Sequence, residues 1–194
     1  DDAHSGMTIL SGTSSDGGIY FGDSGGNNRG QFKYQHNGDY FSFTVANGSV
    51  NARIDTDGLK FNGDTAAANA LDDYEEGTFT PTYTVGGGGS VTGVTSTNAG
   101  TYTKVGRMCT VSVTSNYVGT SGTVTYYHLA LPFTAADTAS GMAGGGFGQE
   151  TGQSGHGVLI KVEDNSSNAI IWKYHGGAMP ANSYFSLSFT YQTA

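Results

Sequence analysis

The sequence predicts an all-β chain built in two parts, on three observations. β-Branched or aromatic residues recur at every second position in short runs, Asn-Gly and Asp-Gly dipeptides separate several of those runs, and one stretch alone, Thr65–Gly77, is compatible with a helix. The architecture expected is an elongated homotrimer: an intertwined short-strand β stalk over residues 1–64, a neck over 65–76 with room for a short helix, and a C-terminal antiparallel β-sandwich head, jelly-roll-like, over 77–194. Composition argues for self-association. Charged residues make up 12% of the chain where ordinary domains carry about 25%, and Leu, Ile, Val and Phe number 35 of 194, below the roughly one fifth of a well-cored protein. An aromatic content of 12% and the repeated strand patterns still argue for folding over disorder. A chain short of core residues can complete its burial between subunits.

In the first part, five runs carry the strand pattern: Gly18–Gly22, Gly30–Tyr34, Tyr40–Val45, Ser49–Ile54 and Gly58–Phe61. The turns between them contain His36-Asn-Gly-Asp, Ala46-Asn-Gly-Ser and Asp55-Thr-Asp-Gly, which supply the positive φ angles that tight hairpins require. Strands this short and this poor in aliphatics would be marginal in a lone chain. Three copies around one axis would share a core, with Phe21, Phe32, Tyr34, Phe41, Phe43, Val45, Ile54 and Phe61 facing inward. Asp55 and Asp57 alternate as in a calcium loop but lack the third acid and the closing Glu, so a hairpin turn is expected there, and His36 is expected to be a solvated loop residue.

The neck joins good helix formers to a Gly stop, with its acids at the end where they oppose the helix dipole. Asp72, Asp73, Glu75 and Glu76 are adjacent on a linker rather than opposed across a cleft, so they are expected to be solvated charge and not a catalytic pair. Residues 1–76 hold twelve acids and four bases, and residues 77–194 hold four of each, so the net charge of −8 lies entirely in the first part and the neck. Neither part offers the basic stripe that nucleic-acid binding needs. There is no apolar run of 18 or more residues, and since Asp1-Asp-Ala-His-Ser does not read as a signal peptide or begin with Met, the chain is expected to be a fragment of something longer. Cys109 stands alone in a strand pattern and is expected to be buried.

In the second part the strands lengthen. Cys109, Val111 and Val113 alternate with Thr110, Ser112 and Thr114, and Phe185, Leu187, Phe189 and Tyr191 alternate with Ser186, Ser188 and Thr190, so one face is apolar and the other hydroxylated. Further strands are expected at Thr78–Val85, Gly100–Gly106, Gly122–Leu131, Gly157–Val162 and Ala169–Tyr174. Three Gly-rich stretches, beginning at Gly86, at Ala135 with Gly144-Gly-Gly-Phe-Gly inside it, and at His175, are expected to be loops and the places where function would sit. None is a phosphate loop, because no Gly-Lys-Ser/Thr follows.

Several of these motifs, in this order, resemble bacteriophage tail fibres. Gly18–Asp23, Arg29–Phe43 and Asn51–Phe61 resemble the fibre stalk repeat, and Asp73-Tyr-Glu-Glu-Gly-Thr-Phe-Thr-Pro81 resembles the junction before the C-terminal domain. Gly100-Thr-Tyr-Thr-Lys-Val-Gly-Arg-Met-Cys-Thr-Val, Leu131-Pro-Phe and the closing Phe189–Ala194 are similar to a strand pair, a short edge and the C-terminus of fibre heads. The resemblance implies a non-enzymatic adhesin of the virion, assembled in the host cytoplasm, homotrimeric, continuing an upstream part of the same fibre. It would bind a host cell-surface glycan or outer-membrane receptor, without cofactor, metal, nucleic acid or membrane insertion. The alternatives are a polysaccharide-degrading tailspike and a purely structural fibre segment. Sugars are held by aromatic faces with a few fixed polar groups, and the candidates are Tyr117, Tyr126, Tyr127, Trp172, Tyr174 and His175, with Trp172 expected in the core and Tyr174 and His175 at a loop.

Overall fold

The computed structural model describes residues 6–94 and 99–194, so the first five residues of the expected stalk lie outside it. The chain divides into two compact units, Asp1–Asp72 and Asp73–Ala194.

The N-terminal unit is a five-stranded antiparallel meander of β1 (Asp16–Asp23), β2 (Gly26–Gln35), β3 (Tyr40–Thr44), β4 (Val50–Asp55) and β5 (Gly58–Phe61). The turns fall at the expected dipeptides: Gly38, Asp39, Ala46, Asn47 and Gly58 all have positive φ. Register then sorts the side chains into two opposite faces. One carries the rows Ile19, Phe32, Phe43, Ala52, Phe61 and Gly17, Tyr34, Phe41, Ile54, Leu59. The rings of Phe32, Phe41 and Phe43 stack on one another at 4.9 to 5.4 Å between centroids, yet the large side chains on this face remain 36–62% exposed where they are not half-buried. The sheet is inside out.

The opposite face is polar and covered. Lys60 is 1% exposed, its ammonium held 2.6 Å from Asp57 and 3.0 Å from Asp55, and Arg53 also pairs with Asp55. Asp57 donates its backbone N–H to Asp55 at 3.0 Å, so the two acids close a hairpin turn around an internal cation. The Lys60 hydrogen bond pulls the Asp55 carboxyl down to about 2. After β5 the helix-compatible stretch makes only one 3₁₀ turn, Ala67–Asn69, with no side-chain cap on its first residue.

The C-terminal unit starts inside the stretch read as a neck. Its strands are β6 (Tyr74–Phe79), β7 (Tyr83–Gly86), β8 (Ser90–Val94), β9 (Ala99–Val105), β10 (Met108–Ser121), β11 (Tyr126–Ala130), β12 (Gly144–Glu150), β13 (Gly157–Val162), β14 (Asn168–Lys173) and β15 (Ser183–Gln192). They form one antiparallel sheet in the order β6-β9-β10-β15-β12-β13-β14-β11-β7, with β8 on the far end of β10. The sheet curls so that its inner face encloses a core as the two layers of a sandwich would. Cys109, Val111 and Val113 from β10 meet Phe185, Leu187, Phe189 and Tyr191 from β15, and Ile160, Ile171, Tyr127 and Leu129 complete the packing. Each such fully buried side chain contributes about 1.5–3 kcal/mol. Tyr83 stacks on Phe185 at 5.8 Å with its hydroxyl hydrogen-bonded to Ser115, which ties the last strand of the curl back to the middle.

Two stretches expected as loops are strands. β8 pairs with β10, and the Gly-rich Gly144–Gly148 is most of β12, held between β13 and β15. Side chains at Gly144 and Gly146 would collide with the β15 backbone, and one at Gly148 with Leu187 and that backbone, so glycine here permits close strand packing. Leu131-Pro-Phe is not a strand; Phe133 packs edge-on against Tyr102 at 4.9 Å and exchanges backbone hydrogen bonds with the Tyr191 hydroxyl.

Candidate functional site

The outer face of the C-terminal sheet is organised by the same register. Its middle row begins with hydroxyls, Thr78 facing Thr101, then Ser112, then Ser188. It continues through Phe147, Leu159 and Trp172, and Tyr126 extends it beside them opposite Gly86. On one flank Thr103, Thr110 and Thr190 lead to Gly145, Lys161 and Ile170; on the other Thr114 and Ser186 lead to Gln149. Half of the face is therefore hydroxylated, and the other half is apolar and aromatic. Phe147 is 67% exposed and Tyr174 58% exposed, while Leu159, Trp172 and Tyr126 are half-buried.

Three of the six expected contact residues share this face. Trp172, expected in the core, points outward with Ile170, because Ala169 and Ile171 are the buried residues of β14. Tyr174 follows on the same face and meets His175 edge-on at 4.8 Å before the positive-φ turn Gly176-Gly177. Tyr126 covers Gly86, where any side chain would strike its ring, and touches His128 edge-on at 5.2 Å. His175 lies in the turn beyond β14, and the last two stand apart from the aromatic row. Tyr127 is wholly buried and donates to Pro180 at 3.1 Å and Ser183 at 3.2 Å, which takes it off the surface. Tyr117 is half-buried, donates to Asn182 at 3.1 Å and packs edge-on against Tyr184 at 5.9 Å. Phe147 was not among the candidates, although its place between Gly145 and Gln149 at period two is a strand signal inside a glycine run.

The connections expected to be free loops are tied down. Glu150, 1% exposed, accepts backbone N–H bonds from Gly152, Gln153, Ser154 and Tyr184 and the Ser154 hydroxyl at 2.6 to 3.1 Å. Burial alone would raise its pKa, but these donors outweigh it and bring the carboxyl down to about 2. Asp164 accepts from the Thr138 hydroxyl at 2.6 Å and the Gly141 N–H at 2.8 Å, and Met179 is buried against Val124 by a 2.8 Å backbone bond. Of the acids expected as solvated charge, Asp72, Glu75 and Glu76 are exposed and Asp73 half-buried, and three of the four have side-chain partners. Asp73 pairs with Lys104, Glu75 accepts from Tyr102 at 2.5 Å and Glu76 from Tyr74. Among the described residues no group of three or more His, Cys, Asp or Glu is placed to hold a metal ion, and no helix is long and apolar enough to cross a membrane. Comparison with known protein families, with curated proteins and with solved structures finds no match for this chain.

Proposed function

We propose that the chain is the distal part of a virion fibre, a non-enzymatic adhesin that assembles as a homotrimer through its N-terminal sheet and holds a host-surface glycan with its C-terminal unit. The observation that carries this reading is the largely exposed apolar face of the N-terminal sheet, bordered on one side by Met7, Thr8 and Ile9. Phe21, Phe32, Phe41, Phe43, Phe61, Ile19 and Ile54 lie there 36–62% exposed. With a ring offering on the order of 200 Å², those fractions amount to roughly 600 Å² of apolar surface per chain, most of the ~800 Å² each partner gives to a standard interface. A contiguous patch of that size marks an interaction surface. Its rows contain no charged residue, so identical faces can meet without apposing like charges. The number three follows from the fibre resemblance.

Two features support attachment without cleavage. Every carboxylate described in the C-terminal unit has a partner in the chain: Lys104, Tyr102 and Tyr74 for the first three, the Ala139 N–H for Asp137, the hairpin N–H groups for Glu150, Lys161 for Glu163 and Thr138 for Asp164. No facing pair is left free to act as acid and base. Three identical sites on one fibre also gain avidity without strong single contacts. Light scattering of the 194-residue chain should return three chains per particle, and a monodisperse monomer would end the shared-interface argument. Polysaccharides immobilised and scored for both retention and released product should show retention alone; release marks a depolymerase, and neither result marks a structural segment.

A further inference from the structure

We infer that the outer face of the C-terminal sheet is a platform for an uncharged glycan, with Phe147, Leu159, Trp172 and Tyr126 as the row on which the sugar rings lie. This rests on the adhesin reading and names the site and the chemical class of its ligand. Four successive strands, β12, β13, β14 and β11, each present one of these side chains. At a strand spacing of about 4.8 Å the row is on the order of 14 Å long, enough for a short oligosaccharide. On its own strand Phe147 has Gly145, which has no side chain, as one same-face neighbour, and its ring is 67% exposed with no role in the core.

The surroundings select the ligand. A sugar ring offers C–H groups on its faces and hydroxyls around its edge, and it needs an apolar surface with hydrogen-bonding groups beside it. Ser112 and Ser188 prolong the aromatic row, while Ser186 and Gln149 run alongside it, and none of these carries charge. The ammonium in the flanking row, that of Lys161, pairs with Glu163 at 2.8 Å. An acidic polysaccharide would find no free counter-charge in these rows, and the C-terminal unit, with seven acids and four bases over residues 73–194, has no net positive charge to draw it in. The N-terminal apolar face differs, being aromatic and aliphatic along two rows in which Tyr34 is the one hydroxyl, as a protein interface core is.

The test uses the 194-residue chain, Phe147→Ala, Ser188→Glu and, as a control outside the aromatic row, Tyr117→Phe. Each is passed over immobilised neutral polysaccharides (glucan, galactan, mannan) and acidic ones (alginate, hyaluronan) at low and high salt, with thermal unfolding and light scattering alongside. The parent should be retained on a neutral polysaccharide at both salt concentrations. Phe147→Ala and Ser188→Glu should weaken retention about tenfold or more without moving the unfolding midpoint or particle size, and Tyr117→Phe should be retained like the parent. Neutral retention that survives both substitutions overturns the assignment while leaving the adhesin reading intact, as does retention on acidic polysaccharide alone that salt abolishes. A changed particle size for Phe147→Ala assigns the row to a contact between chains and also overturns it. Retention of nothing by the parent overturns both readings.

Discussion

Two charged residues, Glu150 and Lys60, are buried inside the protein. Glu150 has its carboxyl brought from an ordinary 4.5 to about 2 by donors that outweigh its burial. A carboxyl whose folded pKa is depressed stabilises the fold above its unfolded pKa, and that contribution is lost as pH falls from about 4.5 through about 2. The shift corresponds to about 3 kcal/mol. Glu150→Gln should therefore destabilise the C-terminal unit by about that amount at neutral pH and flatten its acid limb, measured by urea unfolding at pH 7 and pH 3. An acid limb as steep as the parent's would reject this. Lys60 is the counterpart in the N-terminal sheet, and its pKa is raised, first by Asp57 and against the cost of burial. Lys60→Ala leaves Asp55 and Asp57 close together without the ammonium, so the sheet's melting point should fall at pH 7. Arg53 and the Asp57 N–H still hold Asp55, so the loss is that of the buried ammonium's pairing, and a thermal melt at pH 7 checks it. The acids of this turn are legible in the sequence, whereas their use as a cage for lysine is not, because that depends on β5 folding back beside β4.

At the scale of the strand, alternation was readable where one face is apolar and the other hydroxylated. β10 and β15 are expected from Cys109–Thr114 and Phe185–Tyr191, and their inner residues are the buried ones. β12 shows why the same logic misses other strands. A glycine run has no side-chain pattern to read, and its role emerges only when β13 and β15 close on it. Gly146→Val should destabilise the C-terminal unit by roughly 1–3 kcal/mol through collision with the Phe189 backbone and side chain. Gly157→Ala, with nothing near its added methyl, should stay within about 0.5 kcal/mol of the parent. Paired urea titrations check both, and equal midpoints would mean that β12 packs more loosely than described. Trp172 was misplaced for a related reason: alternation with Ile170 reveals a shared face, but not which side of the sheet that face is on.

For the whole molecule, the two units differ in self-sufficiency. Asp73–Ala194 encloses a core of its own, and expressed alone it should unfold cooperatively with a midpoint independent of concentration. Asp1–Asp72 has its large apolar residues on an open face, so alone it should be folded only where it self-associates, with a midpoint that rises with concentration. Circular dichroism melts across a hundredfold concentration range distinguish the two. The sequence by itself determined the all-β class, the five short N-terminal strands with their turns, and the asymmetry of charge, because period-two patterns, Asn-Gly turns and acid counts are local. Only the tertiary structure decided that Glu75 and Glu76 lie on the first strand of the C-terminal sheet, that Tyr127 is core, and that Phe147, Leu159, Trp172 and Tyr126 form one row. Strand register joins residues from distant parts of the chain, and no local pattern encodes which strands will be neighbours.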